Sequence, residues 1–279
     1  MDNFSFRRYL KLLQIHALLD LGSLLRDTKF MILAVISDIC ADISAMSGIF
    51  MLAWRFNGLG GLDRYEVLFI LSYACLVNGV IMLLDHGNAS FPSRIIGRGQ
   101  WEHMFIMPVP YTVQMLSGFF PFTCSGRFFS GLFMMIFSVV NLGYNLPWWW
   151  IIILIVNIIL STIIVVGLAY LISTLAFYAP VQCEEISSTL RYNVEYIATF
   201  PLSGMPSYVK YPLLTIYPVG MVAWFPSLII LGKIPSFNTL FLLSIALLTV
   251  FIAGFCFRKG FRYYVRTGIN RYSAGGHRS

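Results

Sequence analysis

The sequence predicts an all-α protein that crosses a lipid bilayer six times, and three observations support that fold class. Hydrophobic residues make up 58% of the 279 positions and charged residues only 11%, whereas ordinary soluble domains carry about 25% charged residues. Several segments reach the ~20 mostly apolar residues that a spanning helix needs. The basic residues gather on one side of these segments, as the positive-inside rule requires. The chain is therefore predicted to form a single membrane domain over residues 1–279.

The N-terminal segment, residues 4–25, is predicted to be an amphipathic helix on the membrane surface. Its apolar side chains alternate with Arg7, Arg8, Lys11 and Asp20. A helix with this charge is too polar to cross the bilayer, so it should lie in the interface. The segment has no cleavage-site pattern, and we therefore do not expect a removable signal peptide.

Five strongly apolar segments and one weaker segment are predicted to be spans. The weak segment carries Glu184, Glu185, Arg191 and Glu195, and only a helix that faces protein or water tolerates such a load of charge. The six predicted spans are 30–53, 65–84, 128–144, 149–177, 184–204 and 237–257.

An apolar stretch at 207–231 follows Pro206 and is broken by Pro212, Pro218 and Pro226, so it cannot form one regular helix. Irregular backbone at membrane depth occurs only where it is buried in protein or lines a cavity. This stretch is therefore predicted to form re-entrant helices on the outer side. An alternative places the fifth crossing at 211–231 and leaves 178–210 in the cytoplasm.

The distribution of Lys and Arg predicts that both termini are cytoplasmic. Of 19 such residues, only Arg55, Arg64, Lys210 and Lys233 fall on the outer side, and Arg191 lies in or beside the weak span. Two inner termini require an even number of crossings, which favours six over five. The net charge of +7 is thus an orientation signal, and we expect no binding of nucleic acid.

Two acidic residues, Asp38 and Asp42, lie four positions apart in the first span and so share one helix face. Acidic groups at membrane depth are costly and normally face protein or a wet cavity. They either bond to hydroxyl groups of a neighbouring helix or line a path for a polar or cationic substrate. With the charges of the weak span, the candidate residues of a substrate path are Asp38, Asp42, Glu184, Glu185, Arg191 and Glu195.

A long amphipathic segment, residues 86–126, separates the second and third spans on the predicted cytoplasmic side. A few residues would suffice to join two spans, so its length suggests a docking element for a partner. Trp101 is the candidate aromatic anchor, with Arg98 and Glu102 as a charged pair beside it. The alternative is a surface helix that only fills space.

The sequence lacks the motifs of nucleotide binding and of catalysis. It has no G-x-x-x-x-G-K-[ST] loop, no H-E-x-x-H and no G-x-S-x-G pattern. Its five cysteines are scattered without metal-ligand spacing, and its four histidines form no cluster. We therefore predict no catalytic residue and no metal site, and an intramembrane enzyme is disfavoured.

Four local patterns follow one another along the chain. They are Gly60-Gly61 with Glu66, Ile96-Gly97-Arg98-Gly99 before Pro108-Val109, Phe200-Pro201-Leu202-Ser203, and Pro218-Val219 with Trp224-Phe225-Pro226. With these patterns the layout resembles the permease subunits of type-2 ABC exporters, in particular the bacterial two-permease branch. The shared plan is a basic amphipathic N-terminal helix, six spans, a cytoplasmic helix between the second and third spans, and outer re-entrant helices before the sixth. The sequence departs from the family pattern at two points, where Trp101-Glu102 and Met107 stand in place of the Leu-Asp and Arg that family members often have.

The resemblance implies a bacterial inner-membrane permease that binds no cofactor directly and uses ATP through separate P-loop ATPase subunits. It also implies a second permease copy, either this chain or a related one. The loop between the second and third spans would hold the coupling helix. Its candidate contact residues are Arg94, Arg98, Trp101, Glu102 and Pro108.

An ion-coupled secondary transporter or a channel is the alternative function. Asp38, Asp42 and the broken helices would then form the ion site. Such carriers usually have matched broken helices in both halves of the chain, and here only the C-terminal half has one.

Overall fold

The computed structural model describes residues 6–85, 92–107, 114, 125–143 and 147–267, and over these ranges the chain is built from helices without a β-strand. Five helices in the described part are long and apolar enough to cross a membrane, or six if one bent pair counts as a span. The prediction of an all-α polytopic membrane protein is confirmed. Residues 4–5, at the start of the predicted surface helix, lie outside the described ranges.

The first two helices are joined with almost no loop. Helix α1 (Phe6–Arg26) covers most of the predicted surface segment, and α2 (Thr28–Arg55) contains the predicted span 30–53. Between them Asp27 caps α2, since its side chain accepts a hydrogen bond from the Phe30 amide at 3.2 Å. An N-cap of this kind satisfies one of the orphan amides of a helix start.

Helix α3 (Arg64–Asp85) is the centre of the bundle. Of its apolar window 89% is buried, against 11% for α2, so α3 is surrounded by protein while α2 is left largely uncovered. The start of α3 has the capping box that its sequence predicts: the Asp63 amide donates to the Glu66 carboxylate at 2.8 Å. Glu66 is also paired with Lys233, which ties the start of α3 to the segment before the last helix.

Two short helices, α4 (Pro92–Gly97) and α5 (Trp101–Ile106), follow α3 at the predicted cytoplasmic end. The next long helix is α6 (Ser125–Leu142), which begins three residues before the predicted span 128–144. It packs closely along α3 because glycines on both helices remove the side chains between them.

Helix α7 (Trp149–Ser173) continues as a 3₁₀ turn (Thr174–Phe177), so the whole matches the predicted span 149–177. It packs on the last helix, α11 (Thr239–Thr267), which contains the predicted span 237–257 from Thr239 onward. It also meets α3, where the Tyr73 and Ser161 hydroxyls lie 3.1 Å apart in the buried core.

The weak predicted span, 184–204, contains a helix of only 13 residues, α8 (Ile186–Ala198). Such a helix is ~20 Å long, shorter than the ~30 Å hydrocarbon core. Before its first turn the chain contacts α4, and beyond its last turn Gly204 meets Gly60 in the loop after α2. The segment thus extends from one end of the bundle to the other, and its membrane crossing stays a prediction.

The stretch predicted to be re-entrant forms a bent helix pair. Helix α9 (Ser207–Thr215) and the segment Val219–Ile230, which contains α10 (Trp224–Ile230), meet at an angle of 74°. Gly204 lies just before the pair and touches Gly60, and Lys233 lies just after it and pairs with Glu66. Both ends therefore lie at the same end of the bundle, which favours a re-entrant pair over a crossing at 211–231.

Candidate functional site

Helices α4 and α5 are held apart by a tight turn. Gly99 has a φ of +66°, a left-handed conformation that glycine adopts without steric cost. The turn lets the six residues of α4 and the six of α5 pack on different neighbours. Pro108, the last of the predicted coupling residues, lies outside the described ranges.

Hydroxyl groups attach α4 to the start of α8. The Ser93 hydroxyl lies 2.7 Å from the Ser187 hydroxyl and donates to the Glu184 carbonyl at 2.8 Å. Ser93 and Ser187 are fully buried. Because a buried hydroxyl without a partner is costly, these bonds favour one relative position of the two helices.

Two ion pairs reinforce the same junction. Arg94 pairs with Glu185 and Arg98 pairs with Glu184, each at 2.6 Å. The structure therefore places Glu184 and Glu185 against α4, away from Asp42 and Glu195. It also separates the predicted pair of Arg98 and Glu102.

Trp101 is enclosed by aromatic side chains of its own chain. Its exposed fraction is 0%, and its ring centroid lies 5.9 Å from that of Phe177, 5.7 Å from Phe257 and 6.1 Å from Phe261. The indole is thus packed in the core, where it anchors α5 to the ends of α7 and α11. The predicted role of Trp101 as an anchor for a partner stays a prediction.

The free side of α5 is formed by other residues. Ile106 is 82% exposed, and Met107 and His103 are also exposed. Glu102 is exposed as well and lies 3.4 Å from the Tyr264 hydroxyl. An apolar tip with polar neighbours is the usual composition of a small docking surface.

A network of charges links three helices in the interior of the bundle. Arg127, in the first turn of α6, lies with its Nε 3.3 Å from the Asp42 carboxylate on α2 and also pairs with Glu195 on α8. Arg191, one turn before Glu195, is 2% exposed and lies 3.8 Å from the same carboxylate. Two carboxylates and two guanidinium groups thus compensate one another, as buried charges must.

Asp42 is satisfied by further donors. The Ser130 hydroxyl donates to it at 2.9 Å and the Cys75 thiol at 3.4 Å. Two roles were predicted for Asp42, and its bond with Ser130 of α6 corresponds to the one in which an acidic residue bonds to a hydroxyl of a neighbouring helix. Asp38 lies one turn away on α2 and is half-buried. It packs beside Gly126 of α6 so closely that a Cβ added to this glycine would lie 2.7 Å from the Asp38 Cβ.

A cavity of about 160 Å³ opens beside this network. Polar groups line much of it, so its chemistry suits water or a small polar ligand. Among its lining residues are Asp42, Asn78, Arg127, Glu195, Tyr196 and Thr199. Of the six predicted path residues, only Asp42 and Glu195 line this cavity.

Arg127 is the central residue that sequence reasoning missed. In the sequence it reads as one more basic residue on the cytoplasmic side, and nothing in its spacing connects it to Glu195, 68 positions later. The one available signal was the acidic load of neighbouring spans, which required basic partners somewhere in the bundle. In the described part of the chain, no group of three or more His, Cys, Asp or Glu residues is placed to hold a metal.

Apolar helices packed around an internal charge network, with a short helix pair at one end, define a multi-pass membrane protein. The chain belongs to the ABC-2 family transporter proteins, whose family model matches residues 40–268. No curated protein and no solved structure matches it. The family is the membrane component of ABC transporters rather than a catalytic subunit, and it works with ATPase subunits in general.

Proposed function

We propose that this chain is the permease subunit of an ATP-driven exporter and that a separate P-loop ATPase drives it through α4 and α5. Family membership supports the permease class, and the missing phosphate-binding loop supports ATP hydrolysis by a partner. The observation that carries the proposal is the position of α8. Its start contacts α4, and its far end carries Glu195 of the charge network.

In this mechanism the ATPase contacts the exposed side of α5, at Ile106 and Met107. Movement of α5 moves α4, and the pairs of Arg94 with Glu185 and Arg98 with Glu184 transmit it to the start of α8. The buried Ser93–Ser187 contact makes this junction stiff. In this mechanism Ile106 and Met107 contact the partner, while Arg94 and Arg98 act on α8 inside the chain.

The far end of α8 transmits the movement to the centre of the bundle. Glu195 lies roughly 14 Å along the helix axis from Ile186, and it shares Arg127 with Asp42. When α8 moves, Arg127 must follow Glu195 or stay with Asp42, so the network has two discrete arrangements. Two-state elements of this kind are what carry coupling between distant sites.

The cavity beside Arg127 is the proposed inner part of the substrate path. Asp42 and Glu195 would meet a polar substrate there, while Asp38 would face either the path or a second permease copy. The uncovered face of α2 supports the second position, because a span with only 11% of its apolar window buried is free to contact lipid or another subunit. We place the permease in the bacterial inner membrane with both termini in the cytoplasm, on the charge distribution.

An ion-coupled carrier or channel fits these observations less well. Of the two acidic residues predicted for the ion site, Asp38 and Asp42, Asp42 is already paired with Arg127 and accepts a hydrogen bond from Ser130. The broken helices were predicted to form the rest of the ion site. They are joined to the bundle by apolar contacts and by the Glu66–Lys233 pair.

The proposal is tested at Ile106 by copurification of the ATPase. The tagged full-length chain is coexpressed with its ATPase subunit and purified in mild detergent, and the retained ATP hydrolysis is measured. Ile106→Ala should reduce the retained activity roughly tenfold, as expected for a residue at the centre of an interface. Ile216→Ala is the matched control, since Ile216 is 83% exposed at the other end of the bundle.

Equal retention by the two isoleucine variants would overturn the docking assignment. ATP hydrolysis by the chain freed of its partner would overturn the permease assignment itself. Trp101→Ala is expected to behave differently from Ile106→Ala. It should lower the thermal stability of the chain, by about 3–5 kcal/mol for a buried aromatic residue, before any effect on association is seen.

A further inference from the structure

A groove lies at the C-terminal end of α11, away from the charge network. Its volume is about 640 Å³, within the range of ordinary ligand sites. Four exposed cationic side chains line it: Arg258, Lys259, Arg262 and Arg266. Because three of them recur every four residues, they lie along one face of the helix.

The charges of this groove are open to a ligand. Its lining contains no acidic residue, and within the described part of the chain none of the four cations takes part in an ion pair. Four like charges within three turns of one helix repel one another. An anion placed among them would relieve that repulsion.

The groove lies at the level where two spanning helices change from apolar to polar. Helix α7 and its 3₁₀ turn end at Phe177, and the apolar part of α11 ends at Phe257. These two rings pack together with centroids 5.1 Å apart, and Phe177 also fills the space over Gly260. The cations therefore begin at the boundary of the predicted hydrocarbon core.

Aromatic side chains form the other wall. Tyr178 and Tyr263 pack with ring centroids 4.7 Å apart and an interplanar angle of 33°, and Phe255 lies one turn deeper. Tyrosine prefers the membrane interface, where its ring is apolar and its hydroxyl is hydrated. The groove thus combines an apolar, aromatic side with a row of cations.

We propose that this groove binds the phosphate headgroup of an anionic phospholipid. Guanidinium groups bind phosphate oxygens through paired, charge-assisted hydrogen bonds, and basic pockets between spanning helices are the usual sites of such headgroups. The boundary position favours a lipid over an acidic protein, because Phe255 and the tyrosines would pack against the glycerol backbone and upper acyl chains. The inference does not depend on the transport function.

The test uses the purified full-length chain in a neutral detergent. Its midpoint of thermal unfolding is followed during titration with dioctanoyl phosphatidylglycerol, with dioctanoyl phosphatidylcholine and with inorganic phosphate. We expect a saturable increase with phosphatidylglycerol alone, weakened at high salt because the attraction is electrostatic. Arg258→Gln/Arg262→Gln should raise the half-saturating lipid concentration roughly 30-fold, from the usual contribution of a basic residue near an anionic surface.

Arg26→Gln/Lys29→Gln is the matched control, because it removes two exposed charges from the same predicted side. It should respond to phosphatidylglycerol as the unmodified chain does. Equal shifts with the two lipids, an equal response of the two double variants, or a shift with inorganic phosphate alone would each overturn the proposal. Loss of the copurified ATPase in Arg258→Gln/Arg262→Gln, with the lipid response intact, would assign the groove to a protein partner instead.

Discussion

Arg127 is one guanidinium group that serves two carboxylates on two different helices. It stands at the start of α6 and pairs with Asp42 on α2 and Glu195 on α8. Breaking one side of a buried pair is costly because the other charge is left uncompensated. Arg127 therefore stabilises the resting bundle and, in the proposed mechanism, decides which of the two helices moves together with α6.

We expect Arg127→Gln to destabilise the chain by about 3 kcal/mol or more, because Asp42 would lose its cationic partner and Glu195 would keep only the longer contact with Arg191. Adding Glu195→Gln should restore part of that loss, with a coupling energy of ~1–3 kcal/mol in a double-mutant cycle. The measurement is thermal unfolding in detergent for the two single variants and the double variant. Asp38→Asn serves as the control, since Asp38 is only half-buried. Purely additive losses would show that the two residues do not share an interaction.

At the scale of elements, small residues determine how closely the central helices approach. A Cβ placed on Gly131 of α6 would lie 2.6 Å from the Leu76 backbone nitrogen on α3, and one on Gly79 would lie 2.6 Å from the Phe128 Cα. These contacts are with backbone atoms, which cannot move aside as a flexible side chain can. The α3–α6 pair is thus the most tightly packed part of the bundle, and the charge network is built at its edge.

Gly131→Ala should therefore lower the stability of the chain, by ~1–3 kcal/mol for an overpacked site. Gly254→Ala is the matched control, because Gly254 also lies inside a spanning helix but has no neighbour within 4 Å. There the better helix propensity of alanine should leave stability unchanged or slightly raised. Thermal unfolding of the two variants side by side is the measurement. A Gly131→Ala chain as stable as Gly254→Ala would mean that α3 and α6 lie farther apart than described.

At the scale of the whole molecule, the charged and aromatic belts give the bundle two different ends. One end carries the loop after α2, the bent pair α9–α10 and the exposed Trp148 and Trp149. The other end carries α4, α5 and the basic end of α11. Because Lys and Arg are retained on the cytoplasmic side, the second end is predicted to face the ATPase.

This orientation is tested by labelling new cysteines with a membrane-impermeant maleimide. Phe56→Cys, at a position that is 68% exposed, should be labelled on intact cells, whereas Met107→Cys should be labelled only after permeabilisation. Gly61 is a poorer site in the same loop, since its φ of +79° strains any other residue. The parent chain without a new cysteine is the control. Labelling of Met107→Cys on intact cells would reverse the topology and remove α5 from the side of the ATPase.

The sequence predicted the elements better than it predicted the site. The predicted spans 30–53 and 65–84 lie inside α2 and α3, and the capping box at Asp63 and Glu66 forms as expected. For the site, Asp42 and Glu195 do line one cavity, but Glu184 belongs to the contact with α4. Local patterns can identify a charged residue at membrane depth, while the partner that compensates it comes from another part of the chain.

Composition, span length and the uneven placement of Lys and Arg by themselves determined the fold class and the positions of the five strongly apolar helices. These are properties of single segments in lipid, where each helix must be apolar and must satisfy its own backbone hydrogen bonds. Only the tertiary structure decided that Trp101 is buried, that Arg127 joins α2 to α8 and that four cations line one groove. The first two depend on residues far apart in the chain, such as Arg127 and Glu195, which are 68 positions apart. The groove depends on how α7 packs against α11. Such contacts are determined by packing and charge compensation in three dimensions, and a linear pattern does not identify which residues form them.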